Sequence, residues 1–131
     1  MAKGYSMDTC AVTKYLNETF PIDGISFIDE AMQVKAIISN ITEIEMQVWE
    51  PVENRDKAVY RDFVSASTIL GIDENIIGQT IKVRKKYKLK IPDAIIAATA
   101  MVNDFTLISD NEKDFGKVHG LHFVNPATMS K

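Results

Sequence analysis

Apolar residues recur mostly at helical spacing along this chain, and strict two-residue alternation is rare. Short apolar runs punctuate the helical segments. Gly4-Tyr5-Ser6-Met7 reads as a first strand, followed by a helix over 9–17. Pro21-Ile22-Asp23-Gly24 carries turn chemistry, and the pattern behind it predicts a helix over 25–33. Ala36-Ile37-Ile38-Ser39 is an apolar run between polar residues, the signature of a buried strand. A helix over 42–50 stops at Pro51. Residues 54–67 make a charged amphipathic helix, 68–72 a third strand and 74–88 a further helix. An Ala-rich, strongly apolar helix is expected over 93–103, with the last strands over 105–109 and 122–124. Strands alternating with helices imply an α/β domain with a mainly parallel sheet of four or five strands. In such sheets, sites form beyond the carboxyl ends of strands. Asp8, Asp110 and Asn111 each follow a predicted strand.

Length and composition narrow the class. The 131 residues are the size of one domain, so 1–131 is read as a single unit. Hydrophobic residues at 46% and charged residues at 25% fit a folded chain rather than a disordered one. The 15 Lys and Arg against 18 Asp and Glu argue against a protein that coats nucleic acid by bulk charge. A single cysteine excludes an intrachain disulfide scaffold and a Cys-rich zinc site, and fits a reducing, cytoplasmic setting. Neither a membrane span nor a signal peptide is expected.

Four places along the chain carry acids with two readings each. Asp8 ends the first strand, where it can cap the helix behind it or ligate a cation. Glu45 lies inside the stripe traced by Ile41, Ile44, Val48 and Trp49, where an unpartnered carboxylate is costly. Thr42-Glu43-Ile44-Glu45 also fits a capping box, in which Glu45 bonds back to Thr42, so cap and ligand both remain open. Asp93 opens the most apolar helix, where it can simply suit the helix dipole. A helix apolar nearly all round is buried, however, so its N-terminus should point into the interior or a cleft. Asp110 and Asp114 follow the fourth strand and can be plain turn residues. Gathered together, such carboxylates would repel one another unless a cation joined them. With oxygen donors alone, that cation is a hard one, Mg²⁺ or Mn²⁺.

The order of four segments adds a resemblance. Ser6-Met7-Asp8-Thr9, then 38–45 ending in Glu45, then Ile91-Pro92-Asp93-Ala94-Ile95-Ile96-Ala97-Ala98, then 107–115 around Asn111, resembles a PIN domain. It looks most like the short bacterial VapC-type toxins of toxin–antitoxin pairs. The resemblance implies a three-layer α/β/α sandwich and a Mg²⁺- or Mn²⁺-dependent endoribonuclease that leaves a 5′-phosphate. It places Asp8, Glu45 and Asp93 as metal ligands and catalytic acids. Asn111 stands at the fourth acidic position, flanked by Asp110 and by Asp114, which is counted with the catalytic acids. Cys10 stands where the family often has Asn, and a thiol hydrogen-bonds poorly to the first acid. A VapB-like antitoxin and a homodimer are the partners implied, with the helices of 54–88 as the antitoxin groove or dimer face.

Other features weigh on the substrate. Lys82, Arg84, Lys85, Lys86, Lys88 and Lys90 place six basic residues within nine positions that lead towards Asp93. Arg84, Lys85 and Lys86 are accordingly candidates for RNA binding, against the alternative of a solvated helix face. Trp49 and Cys10 read as packing residues, and His119 and His122 are too few for a zinc finger. The competing function is a degenerate PIN domain, a non-catalytic RNA- or protein-binding module, motivated by Cys10 and Asn111. An aspartyl phosphotransferase is a weaker third reading, because Cys10 occupies the place where a second acid commonly sits in that chemistry.

Overall fold

The computed structural model describes residues 4–33, 35–48 and 54–129. Five strands form one all-parallel sheet: β1 (Gly4–Met7), β2 (Ile37–Ser39), β3 (Thr68–Leu70), β4 (Phe105–Ile108) and β5 (Phe123–Val124). Their order is β3-β2-β1-β4-β5, which puts β1 at the centre. The chain builds outward from β1 in one direction through β2 and β3, then returns to its other side with β4 and β5. The point where the direction reverses, between the carboxyl ends of β1 and β4, is where open α/β sheets form their sites.

The helices are α1 (Thr9–Leu16), α2 (Ile22–Ala31), α3 (Asn40–Val48), α4 (Asn54–Ala66), α5 (Glu74–Tyr87), α6 (Ile91–Val102) and α7 (Glu112–Phe115). Parallel strands need crossovers, and the helices supply them on both faces. The pleat of β4 shows the division: successive side chains point to opposite faces, Leu107 into one core and Ile108 into the other. Ile108 joins Met7 and Ile38 under α1, α2 and α4, where Val12, Ile28 and Val64 close the layer. Leu107 joins Val83, Ala97 and Ala100 of α5 and α6, with Phe115 of α7. The result is an α/β/α sandwich. The Ala-rich α6 packs closely against its neighbours because its small side chains let backbones approach. Five of its residues between Ala94 and Ala100 are buried to 2% exposure or less.

The helices α2, α3 and α6 begin before their pattern-based starts at 25, 42 and 93, and at the first two the earlier start changes the role of a residue. The turn expected at 21–24 is instead the first turn of α2, with Pro21 at the N-cap. Proline suits that place because its fixed φ and missing N–H cost a helix start nothing. Gly24 is a packing glycine: a Cβ there would stand 2.5 Å from the Pro126 carbonyl oxygen. The second difference is at α3, which starts at Asn40, so Thr42 lies inside it. The Ser39 Oγ accepts from the Thr42 N–H at 3.3 Å, which makes Ser39 the cap. The capping box, one of the two readings of 42–45, therefore does not form, and Glu45 is available to another partner. Trp49 and the end of the helix at Pro51 lie outside the described residues.

Candidate functional site

Asp8 is held at the switch point by the strand that precedes it and the helix that follows. Its own N–H donates to the Ile108 carbonyl, and its Oδ1 caps α1 by accepting from the Ala11 N–H at 2.8 Å. The Oδ2 accepts from the Ser109 hydroxyl at 2.7 Å. The capping reading of Asp8 thus holds, yet it does not exhaust the residue, which also lines a cleft of about 480 Å³. Burial pushes the Asp8 carboxyl up from 3.8 to about 6. The Ser109 and Ala11 hydrogen bonds pull the other way, while the charges of Asp110 and Asp93 push it further up. An acid in a cleft whose burial disfavours the anion marks a candidate functional group.

Glu45 reaches the same cleft from α3, where the Thr9 hydroxyl donates to its Oε1. The Thr42 hydroxyl donates to the Thr9 oxygen at 3.2 Å, so one side chain next to Asp8, itself held by α3, orients the Glu45 carboxylate. Thr9 stands in the first of the four resembling segments, beside a candidate acid, but the sequence assigned it no role. Asp93 arrives from the first turn of α6, two residues inside the helix and not at its cap, which is Lys90. Among the described residues its carboxylate accepts no hydrogen bond. Its carboxyl is raised by burial first, then by the charges of Asp114 and Glu45, with Lys90 opposing. The structure thus brings Asp8, Glu45 and Asp93 to one cleft from three separate elements.

The residues after β4 divide their roles. Asp110 is engaged by the Lys14 ammonium in an ion pair that holds Lys14 charged to higher pH. Asn111 caps α7 by accepting from the Asp114 N–H, and its Nδ2 donates to the Asp114 Oδ2 at 3.1 Å. Asp114 is the acid of this loop whose charge reaches Asp93. Cys10 is exposed and lines the cleft, a correction to its expected place in the core. It lies on the open face of α1, while Ala11 and Val12 take the buried positions. Its thiol is pushed up by burial and by the neighbouring charges of Asp8 and Asp110, which disfavours the thiolate. Arg84, Lys85 and Lys86 are all exposed in the last turn of α5.

Oxygen donors only, raised carboxyls and mutual repulsion fit a hard divalent cation. Among the described residues no three acid, His or Cys side chains converge into a ready cage. Mg²⁺ does not need one, since it keeps several waters and is bound through one or two carboxylates plus substrate phosphate. Asp8 and Asp93, with Glu45 or Asp114 reaching a bound water, match that requirement in kind.

The comparisons with known proteins bear on this geometry. A family model described as PIN domain matches residues 7–121. The chain is similar to a chain of a toxin–antitoxin complex from Klebsiella pneumoniae, at 30% identity and a TM-score of 0.74, over 95% of this chain and 98% of that one. It shares its fold with VapBC2 from Rickettsia felis bound to a promoter DNA fragment, at 18% identity and a TM-score of 0.78, covering 92% and 97% of the two chains. DNA-bound VapBC from Salmonella typhimurium is similar at 20% identity and a TM-score of 0.77, covering 93% and 97%. No curated protein sequence matches it. An all-parallel five-stranded sandwich with acids at its switch point is the class that the fold and cleft define. The chain belongs to the PIN domain family. Its similarity to VapBC structures agrees with the VapC-type resemblance read from the sequence.

Proposed function

We propose that this protein is a Mg²⁺- or Mn²⁺-dependent endoribonuclease, the toxin of a toxin–antitoxin pair. The observation that carries the proposal is the shared cleft: Asp8 lines it from the end of β1, Glu45 from α3 and Asp93 from α6, and Asp93 feels the charge of both Glu45 and Asp114. Asp8 and Asp93 would hold the cation, with Glu45 as third ligand or as acceptor of a bound water's proton. A bound Mg²⁺ or Mn²⁺ supplies an activated water and neutralises the phosphate under attack. Thr9 keeps the Glu45 carboxylate aimed, and Ser109 keeps Asp8 in place. Asp114, steadied by Asn111, completes the negative rim, while Asp110 is spent on Lys14. Exposed Arg84, Lys85 and Lys86 give the RNA backbone an electrostatic track towards the N-terminus of α6. Cleavage would leave a 5′-phosphate.

The partners follow from the relatives. A VapB-like antitoxin is the expected inhibitor, since the similar chains come from toxin–antitoxin complexes. Exposed Val59, Ile72, Ile77 and Ile81 support a homodimer or antitoxin face along α4 and α5. No helix among the described residues is long and apolar enough to cross a membrane.

Glu45→Gln tests the proposal. Because Ser39 is the cap of α3, the substitution removes charge without removing a cap. Expressed without antitoxin, the wild type should arrest growth and Glu45→Gln should not, at equal soluble yield. The binding-module alternative, favoured by the lack of a ready three-ligand cage among the described residues, makes the opposite prediction. It expects no Mn²⁺-dependent RNA cleavage by the wild type even when freed of its partner.

A further inference from the structure

The cleft does not end at the carboxylates. It runs along α1, whose open stripe carries Cys10, Thr13 and Asn17 at helical spacing. The 1.5 Å rise per residue sets Asn17 about 13 Å from Asp8 and Thr13 about 7 Å from it. The opposite walls are apolar: Met46 stands next to Glu45 on α3, and Ile96 stands one turn beyond Asp93 on α6. Tyr60 of α4 closes the far end, its hydroxyl donating to the Asn17 Oδ1 at 3.4 Å. That contact orients the Asn17 amide, whose Nδ2 makes no hydrogen bond among the described residues. The Thr13 hydroxyl donates to the Cys10 carbonyl at 2.9 Å, which leaves its lone pairs as acceptors.

We infer that this far end is a subsite for one unpaired nucleobase of the RNA next to the scissile phosphate. The inference rests on the nuclease reading above and adds the determinant of sequence choice. Three features match that ligand. The apolar walls suit the faces of a base, and the amide donor and hydroxyl acceptor suit its edge, as proteins read splayed single-stranded bases. The helical spacing carries those groups along the cleft away from Asp8, Thr13 nearer and Asn17 further, on the path a strand bound at the carboxylates would follow. The volume of about 480 Å³ exceeds what a hydrated cation needs. Asn17 is the specificity residue: its oriented Nδ2 can serve only a base acceptor, so bases lacking one at that place are bound less well. A site built to hydrogen-bond its ligand discriminates more sharply than an apolar slot does.

The test is cleavage of a short randomised RNA pool in Mn²⁺ by antitoxin-free protein, with the ends of the products sequenced. The wild type should prefer one base, or one pair of bases, beside the cut. In Asn17→Ala the preference should flatten, with kcat/KM on the favoured sequence falling about tenfold, the size of one lost polar contact. Asn17→Asp turns the donor into an acceptor and should shift the preference to a different base. Asn17 is exposed, and melting curves of both variants check that they fold. A wild type that cleaves without base preference overturns the subsite, as does a preference that both variants keep. Variants that weaken antitoxin inhibition and leave base preference intact assign the groove to a peptide and also overturn it. A wild type without Mn²⁺-dependent cleavage removes the nuclease reading and the subsite with it.

Discussion

Replacing Asp8 with Asn should stabilise the metal-free protein at neutral pH and abolish its stabilisation by Mn²⁺. Burial pushes the Asp8 carboxyl from 3.8 to about 6. At about 1.4 kcal/mol per unit, the charged side chain costs the folded state roughly 3 kcal/mol above pH 6. The unfolded chain releases this proton near its ordinary 3.8, and the folded chain releases it near 6. Between those values the folded state binds more protons, so stability falls as pH rises through the window and levels off above it. Asn keeps the oxygen that accepts from Ala11 but turns an amide towards Ser109. The Ser109 hydroxyl already accepts from the Asn111 N–H. Its own hydrogen then lacks an acceptor, at a cost of about 1 kcal/mol. The net gain is about 2 kcal/mol, or roughly 8 °C in Tm for a chain of this size. The assay is thermal melting of both proteins in EDTA from pH 4 to 8, followed by the same melts with Mn²⁺ at pH 7.5. At pH 4 most of the charge cost is gone and the Ser109 penalty remains, so the gap should close or slightly reverse. With Mn²⁺ at about a hundred times its Kd the wild type should gain about 2.7 kcal/mol, closing or reversing the gap, while the variant gains little. A variant less stable than wild type in EDTA at pH 7.5, or a gap unchanged at pH 4, would refute the claim that the fold bears the cost of this charge.

Other outcomes follow from local geometry. Ser39→Ala should cost about 1 kcal/mol in urea unfolding, because it removes the cap of α3; Mn²⁺ affinity, measured by calorimetry, should fall as well, since α3 carries Glu45. Gly24→Ala should destabilise by about 1–3 kcal/mol, because its Cβ meets the Pro126 carbonyl backbone; an unchanged melting temperature would place that contact elsewhere. Thr9→Val should keep the fold but lower kcat for RNA cleavage more than it raises KM, since the lost hydroxyl is committed to orienting Glu45.

The sheet was legible because its strands are short apolar runs between polar residues, and β1 through β5 fall where those runs lie. The first turn of α2 was hidden because Pro21 and Gly24 have turn chemistry, and only tertiary packing against Pro126 shows Gly24 as a contact residue. At α3, Ser39 and Thr42 are equally good caps on paper. The end of β2 selects Ser39 and leaves Glu45 to the cleft. Asp8, Glu45 and Asp93 were readable as costly or suggestively placed acids, but their meeting depends on strand order, which periodicity does not encode. The division of labour among Asp110, Asn111 and Asp114 depends on the Lys14 ion pair and the α7 cap. Cys10 was assigned to the core from its residue type, whereas its face of α1 is decided by Ala11 and Val12 packing beside it.

The most direct measurement is the rate of RNA cleavage in Mn²⁺ by antitoxin-free wild type and by Asp93→Asn. Asp93 neither caps α6 nor accepts a hydrogen bond among the described residues, so the substitution leaves the fold's contacts in place. Cleavage by the wild type should stop in EDTA, and Asp93→Asn should cleave slower by orders of magnitude while melting no lower than the wild type, since burial disfavours the Asp93 carboxyl as an anion. Equal cleavage by the two proteins would contradict the role given to Asp93.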